Sequence, residues 1–311
     1  MLMKSDHALP SSVYWLMSLL ALLWGASWPF MKLALSEMEP VRFRVFCIGV
    51  GTIGLFAIAK LSDARIALPR GSWARVLAFS FFNMSGWSLL MIFGLQRMEA
   101  GRAVILAYTF PVWTIPLSAW LLSEPITARR LLGLLLGIAG MGLLLGDELL
   151  SLGRSPLGAL LLVGSAIFWA IGTVMMKRWP VDLPAISLTA WQSLFAWIPL
   201  WLIGWVAEKG PVHPFGFSAG PMFGVLYGAI VSAIVCQWAW YRIVKIAPAG
   251  ISSLSTLVIP IVGVFISMVL LGERPQATDY AALVLVVASL ATVLAPGRMR
   301  EPAVPQERPV P

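Results

Sequence analysis

Amide, hydroxyl and indole groups stand where this chain is otherwise apolar. Ser27, Asn83, Ser85, Tyr108, Thr109, Gln192, Gln237, Tyr241 and Ser255 all fall inside long apolar runs. Burying such a group without a partner is costly, so these side chains should face inward. Around a cavity they could bind the amino and carboxylate groups of a zwitterion. They serve equally well as interhelical hydrogen-bonding glue. Trp24, Trp28, Trp87, Trp113, Trp169, Trp191 and Trp238 also lie within the runs. They could wall a cavity that accepts an aromatic or thioether side chain, or they could simply pack. Trp15, Trp73, Trp179 and Trp205 lie nearer the ends and fit an interfacial belt. The candidate binding residues are Trp24, Trp28, Asn83, Trp87, Tyr108, Trp113, Trp169, Gln237, Tyr241 and Ser255.

Prolines supply a second kind of chemistry, mechanical rather than ligating. Pro111, Pro116 and Pro260 sit inside apolar runs, where proline removes a backbone bond and kinks a helix. Gly101 and Gly250 lie at short turns and permit tight reversal. Gly101, Pro111, Gly250 and Pro260 are the candidate hinge or gating residues, with a static kink as the alternative.

Charge is sparse. No Asp, Glu, Lys or Arg falls clearly at the middle of an apolar run. Glu124 and Glu273 end such runs, and pairing with Arg129, Arg130 or Arg274 is favoured over a proton relay. Lys32 and Lys177 lie near run ends and could snorkel. Proton-coupled cation efflux lacks its midplane carboxylate, and sugar-phosphate exchange lacks its midplane cations. The two histidines, His7 and His213, fall outside the apolar runs. No metal-binding or nucleophile motif is present, so neither enzyme nor cofactor is expected.

These residues need long helices to hold them. The chain is 59% hydrophobic and only 12% charged, with a mean hydropathy of +0.86. Soluble proteins carry roughly 25% charged residues. The net charge of +8 is spread between apolar runs, which argues against nucleic acid. Cys47 and Cys236 fall inside runs and read as buried thiols. Runs of about 20 apolar residues predict spans at 13–35, 41–61, 73–95, 100–122, 127–146, 156–178, 184–206, 219–244, 248–271 and 277–295. The first is too long for a cleaved leader and lacks a small-x-small site. The segment 296–311 is proline-rich and reads as a disordered cytoplasmic tail. Lys and Arg are more frequent on the side that carries the N-terminus, Arg42, Arg44 and Arg102 counting with the opposite loops. The positive-inside rule then puts both termini in the cytoplasm.

The chain also matches itself. Gly101 to Glu124 aligns without gaps to Gly250 to Glu273, so Gly101, Pro111 and Glu124 pair with Gly250, Pro260 and Glu273 at one offset. WGASWPFMK, from Trp24 to Lys32, aligns to WAIGTVMMK, from Trp169 to Lys177. Two halves, 13–146 and 156–295, each hold five expected spans. An odd number makes the second half enter from the opposite face, an inverted repeat. Gly133 and Gly137, with Gly140 following, allow close helix approach in the fifth span. Internal packing is the default use of that stripe and a dimer face the sharper one.

The five-plus-five layout, the repeated Trp-x7-Lys, and the Gly, Pro and Leu-Leu-x-Glu landmarks of spans four and nine resemble the drug/metabolite transporter superfamily, EamA-type. The resemblance covers about Tyr14 to Ala295. The aromatic-rich helices, with Tyr108, Trp113 and Trp169, are further similar to the aromatic amino-acid exporter branch (YddG-like). The resemblance implies a central cavity lined by helices 1, 3, 4, 6, 8 and 9, packing roles for helices 5 and 10, and export from the cytoplasm. The expectation is an all-α polytopic protein of a bacterial-type inner (plasma) membrane, with ten transmembrane helices as two inverted five-helix repeats. Its partners would be a small-molecule substrate and membrane lipid, as a monomer or weak homodimer, without nucleic acid. It would export aromatic and large neutral amino acids or similar metabolites by alternating access. Rivals are a broad exporter of other neutral metabolites or drugs, and a non-transporting membrane receptor or scaffold.

Overall fold

A helix satisfies its own backbone N–H and C=O groups, which is what a chain in lipid requires. The apolar runs fold accordingly. The structure, a computed structural model, describes residues 11–150, 156–246 and 254–294. Its elements are α1 (Ser11–Ala34), α2 (Pro40–Leu61), α3 (Trp73–Arg97), α4 (Ala100–Leu122) and α5 (Ala128–Leu150). After these come α6 (Pro156–Arg178), α7 (Ala185–Ala207), α8, α9 (Leu254–Leu271) and α10 (Ala277–Leu294). Helix α8 comprises Ala219–Leu226, a π-helical stretch Tyr227–Cys236, and Gln237–Ile246. Eight of the described helices are long and apolar enough to cross a membrane. Shorter apolar stretches, Val258–Leu271 and Ala277–Thr292, lie in α9 and α10. The expected tail 296–311 and Gly250 lie outside the described residues.

Local sequence explains the boundaries. Pro40 opens α2, where its missing N–H has no intrahelical partner to lose. Ser123 (φ 54°) ends α4 and Gly272 (φ 68°) ends α9, both in the left-handed region. Helix α5 runs four residues past its expected end at 146, because Asp147 and Glu148 are drawn into an ion-pair cluster.

Packing follows a definite pattern. Helix α5 lies along α10, and α2 lies along α7. Helix α1 packs on α8 and α9, while α6 packs on α3 and α4. Lipid gives helices no hydrophobic reason to associate, so small residues and close contact do the work. The α5 glycine stripe is spent internally. Gly137 abuts Val112 and Ser289, Gly140 abuts Val286 and the Ala282 carbonyl, and Ser289 Oγ donates to the Gly133 carbonyl (2.6 Å).

Two distortions interrupt the helices. Helix α3 carries a π-helical turn at Phe81–Gly86, and α8 carries the one already given. The two helices are the third and the eighth in chain order, and each distortion begins at the ninth residue of its helix. Helix α4 breaks at Tyr108 and Thr109, between Ala100–Ala107 and Phe110–Leu122. Pro111 follows at once and offers no N–H to bridge the break. Helix α9, in contrast, passes Pro260 without interruption from Leu254 to Leu271. The two prolines matched in sequence therefore sit in unlike backbone.

Candidate functional site

Several of the candidate residues converge. Trp28 is buried in the main core cluster, and Trp24, Trp87, Tyr108 and Trp113 pack against it. Trp87 of α3 and Trp169 of α6 meet at 5.3 Å between ring centroids, tilted by 56°. Trp24 of α1 faces Trp240 of α8 at 6.1 Å. Tyr108 lies beside Phe110 across the α4 break, at 6.0 Å. The Trp113 indole N–H is buried with no hydrogen-bond partner. Gln237 is half-buried.

Other candidates are placed elsewhere. Asn83 presses its amide against Gly172 of α6 and donates weakly to Met176 Sδ (3.7 Å). Gln192 reaches the same sulfur from α7 (3.5 Å). Trp191 donates to the Ile66 carbonyl (2.8 Å) and packs on Trp73, Phe56 and Phe195 at one end of the bundle. The side chains of Tyr241 and Ser255 lie outside the described residues. Trp15, Trp73, Trp179 and Trp205 are exposed, as a belt requires.

Charges correct the sequence reading most. Arg44 and Arg102 do not belong to loops. Arg102 lies in the first turn of α4, 4% exposed. It meets Asp147 (2.5 Å) and Glu148 (2.7 Å) of α5 and Asp279 (2.7 Å) of α10. Arg44, in the second turn of α2, stands over the Trp87 ring at 5.5 Å and donates to Ser88 Oγ (2.9 Å). Its Nε is buried without a partner. Sequence reading missed both because a helix start and a loop look alike to a hydropathy window. The available signal was the trio Asp147, Glu148 and Asp279 at run ends that share a face, which invites a buried cation.

The two ends of the bundle are held differently. At one end Lys32 does not snorkel. Its Nζ donates to the carbonyls of Leu95 (2.8 Å), Gln96 (3.0 Å) and Met98 (2.6 Å), capping α3. Glu273 does not pair with Arg274 but accepts from the N–H groups of Ala100 (2.6 Å) and Gly101 (2.9 Å), capping α4. Glu208 accepts from Val41 (2.9 Å) and Arg42 (2.8 Å) at the start of α2, and Glu37 accepts from Ser218 N–H (2.8 Å) before α8. Three helix N-termini at this end thus carry a carboxylate from the segment that follows another helix, where the helix dipole favours it. Burial pushes the Glu208 carboxyl up, whereas the Ser218 hydrogen bonds pull Glu37 down.

At the other end Lys177, 63% exposed, pairs with Glu124, and Glu124 also meets Arg130 (2.7 Å). The expected pairing of Glu124 with Arg130 is present. The Lys177 hydrogen bond, more than any other contact, holds the Glu124 carboxyl below its usual range. A lowered value means that the pair is intact above the ordinary carboxyl range and opens only as pH falls through the lowered value.

A bundle of apolar spans around an aromatic interior, with capped ends and no metal-ligand cluster among the described residues, is the architecture of a multi-pass membrane transporter. The EamA-like transporter family model matches residues 11–146 and 156–295, and the chain belongs to that family. An uncharacterized transporter of Bacillus subtilis (strain 168), YvbV, is 27% identical over 89% of this chain and 90% of its own length. A second from the same organism, YoaV, is 22% identical over 81% of this chain and 86% of its own. A probable amino-acid metabolite efflux pump of Escherichia coli (strain K12) is 25% identical over 88% and 91%. One solved crystal structure superposes with a TM-score of 0.64 at 20% identity, covering 93% of this chain and 99% of that one. At that identity the likeness concerns the fold.

Proposed function

We propose that the protein is a secondary transporter that exports aromatic and large neutral amino acids, or similar small metabolites, by alternating access. Its ten spans would form two inverted five-helix halves, 13–146 and 156–295, with both termini in the cytoplasm.

The observation that carries this reading is the pairing of helices. Exchange α1–α5 with α6–α10 and the main packings map onto one another: α1 on α8 and α9 becomes α6 on α3 and α4, while α2–α7 and α5–α10 are unchanged. A twofold axis relating two halves would give this pattern, which supports the reading. With five spans per half that axis would lie in the membrane plane. The π-helical turns of α3 and α8 recur at equivalent places, which supports the same relation. Two halves related in this way can exchange conformations, so a cavity open to one side has a mirror state open to the other.

The unequal ends fit that scheme. Lys32 and Glu273 bind helix ends, whereas their repeat partners Lys177 and Glu124 bind each other. The Lys32 end is then the latched one in this conformation, and transport would pass the latch from one end to the other. The break at Tyr108 and Thr109 is where α4 would bend. The interior indoles suit a flat or large apolar side chain, and the name of the Escherichia coli relative supports an amino-acid-like cargo.

Counterflow into proteoliposomes tests the function. Radiolabelled phenylalanine, tryptophan or methionine should accumulate above empty vesicles and above threonine or lysine. Absence of all uptake from folded protein would overturn the transport of amino acids. Pro111→Ala tests the bend. It should slow counterflow several-fold, on the order of 1 kcal/mol in barrier, with little change in half-saturating substrate. Unchanged flux at equal expression would remove Pro111 from the mechanism.

A further inference from the structure

Arg44 is a cation that the fold leaves without an anion. It sits in the second turn of α2, inside a helix long and apolar enough to span a membrane. Its neighbour Arg42 is bonded to the Glu208 carbonyl, and Arg102 has three carboxylates around it. Among the described residues no carboxylate lies within ion-pair distance of Arg44. Its partners are a neutral hydroxyl, Ser88 Oγ at 2.9 Å, and the face of Trp87 at 5.5 Å. A guanidinium carries five N–H donors, and the Ser88 hydroxyl accepts only a fraction of them. The Nε atom is buried and unpartnered. A buried charge inside a membrane-spanning helix, with no opposite charge beside it, is expensive and by default marks a functional site.

We propose that Arg44 binds the carboxylate of the transported solute, while the Trp87–Trp169 pair receives its aromatic part. This rests on the transporter reading above. Ser88 and the Trp87 ring hold the guanidinium plane, which leaves its remaining N–H groups to meet a carboxylate as a bidentate fork. The adjoining indoles, 5.3 Å apart and tilted, offer an apolar corner beside that fork. A single cation suits one carboxylate better than a phosphate dianion. No described carboxylate stands nearby to select an ammonium. The negative group is therefore the required one, and the α-amino group is dispensable. The cargo class is aromatic monocarboxylates, amino acids included.

The test uses the full-length protein in proteoliposomes, with labelled phenylalanine as the probe. Unlabelled phenylalanine and 3-phenylpropionate should both compete, and phenylethylamine, which lacks the carboxylate, should not. Arg44→Gln should raise the half-saturating concentration at least about tenfold, and Arg44→Lys should restore part of that loss. Equal competition by phenylethylamine, or unchanged half-saturation in folded Arg44→Gln, would overturn the assignment and leave amino-acid transport standing. Failure of folded wild-type protein to take up either phenylalanine or labelled 3-phenylpropionate, with methionine still accumulating, would overturn the aromatic monocarboxylate assignment alone, and absence of all uptake would overturn the transport of amino acids as well. Should Arg44→Gln not fold, Arg44→Lys and the wild-type competition series still decide. The lysine variant keeps the charge without the fork, so wild-type half-saturation in it would overturn the bidentate site.

Discussion

Arg102→Leu is expected to yield little or no monodisperse protein after extraction in mild detergent. The guanidinium joins three helices: α4, which carries it, α5 through Asp147 and Glu148, and α10 through Asp279. Arg102 and Glu148 are each 4% exposed and Asp279 only 2%. Removing this cation leaves two deeply buried carboxylates without it, and breaking a buried pair from one side costs about 3–5 kcal/mol. Natural stability is of the order of 5–15 kcal/mol, so this is a large part of it. Arg102→Lys keeps the charge but not the fork, and should recover part of the melting temperature. The decisive companion is Arg102→Leu combined with Asp147→Asn, Glu148→Gln and Asp279→Asn, which removes the charges together. If stranded charge is the cause, this variant melts above Arg102→Leu. A single Arg102→Leu variant that melts like wild type would show that the cluster carries no stability.

The helices were legible because hydropathy measures what lipid demands of a spanning segment. Among the described residues span edges differ from expectation by a few residues, and the four-residue extension of α5 comes from the Arg102 cluster that no window of one helix can see. The repeat was legible because Gly, Pro and Glu are rare enough in apolar sequence for a fixed offset to mean something. Of the site, the Trp87–Trp169 contact was anticipated in kind but not in partner. Asn83 is polar in an apolar run, a feature shared by side chains that pack between helices, as this one does against Gly172 and Met176. Arg44 was hidden by its place near a helix start. Two arginines two residues apart face different neighbours, and only the fold tells which one meets Glu208 and which meets Trp87. Lys32 and Lys177 match in the self-alignment yet are bonded differently, Lys32 to the carbonyls that end α3 and Lys177 to Glu124, and only the fold tells them apart.

The same limit applies to glycines, and it leads to the second large effect. Sequence reading noticed the α5 stripe but passed over Gly220, Gly224 and Gly228, which repeat every four residues along α8. Gly224→Ala is expected to be the most damaging alanine substitution among the described helical glycines. A Cβ there would strike the Phe30 carbonyl oxygen of α1 and stand 3.1 Å from the Ala34 nitrogen. Both are backbone atoms, so neither can rotate aside; α1 and α8 would have to separate. Overpacking of a tight contact costs typically about 1–3 kcal/mol and sometimes more. Gly172→Ala makes a useful comparison, since its Cβ would meet the Asn83 amide, a side chain that can turn away. Gly142→Ala is the control: nothing lies within 4 Å of that position, mid-helix in α5. Alanine is the better helix former by about 1 kcal/mol, so this variant should melt at or slightly above wild type. Melting temperatures of purified protein should therefore fall in the order Gly142→Ala, Gly172→Ala, Gly224→Ala. If Gly224→Ala melts with Gly142→Ala, the close α1–α8 crossing is wrong, and with it one of the two contacts, α1 on α8 and α6 on α3, on which the proposed twofold relation rests.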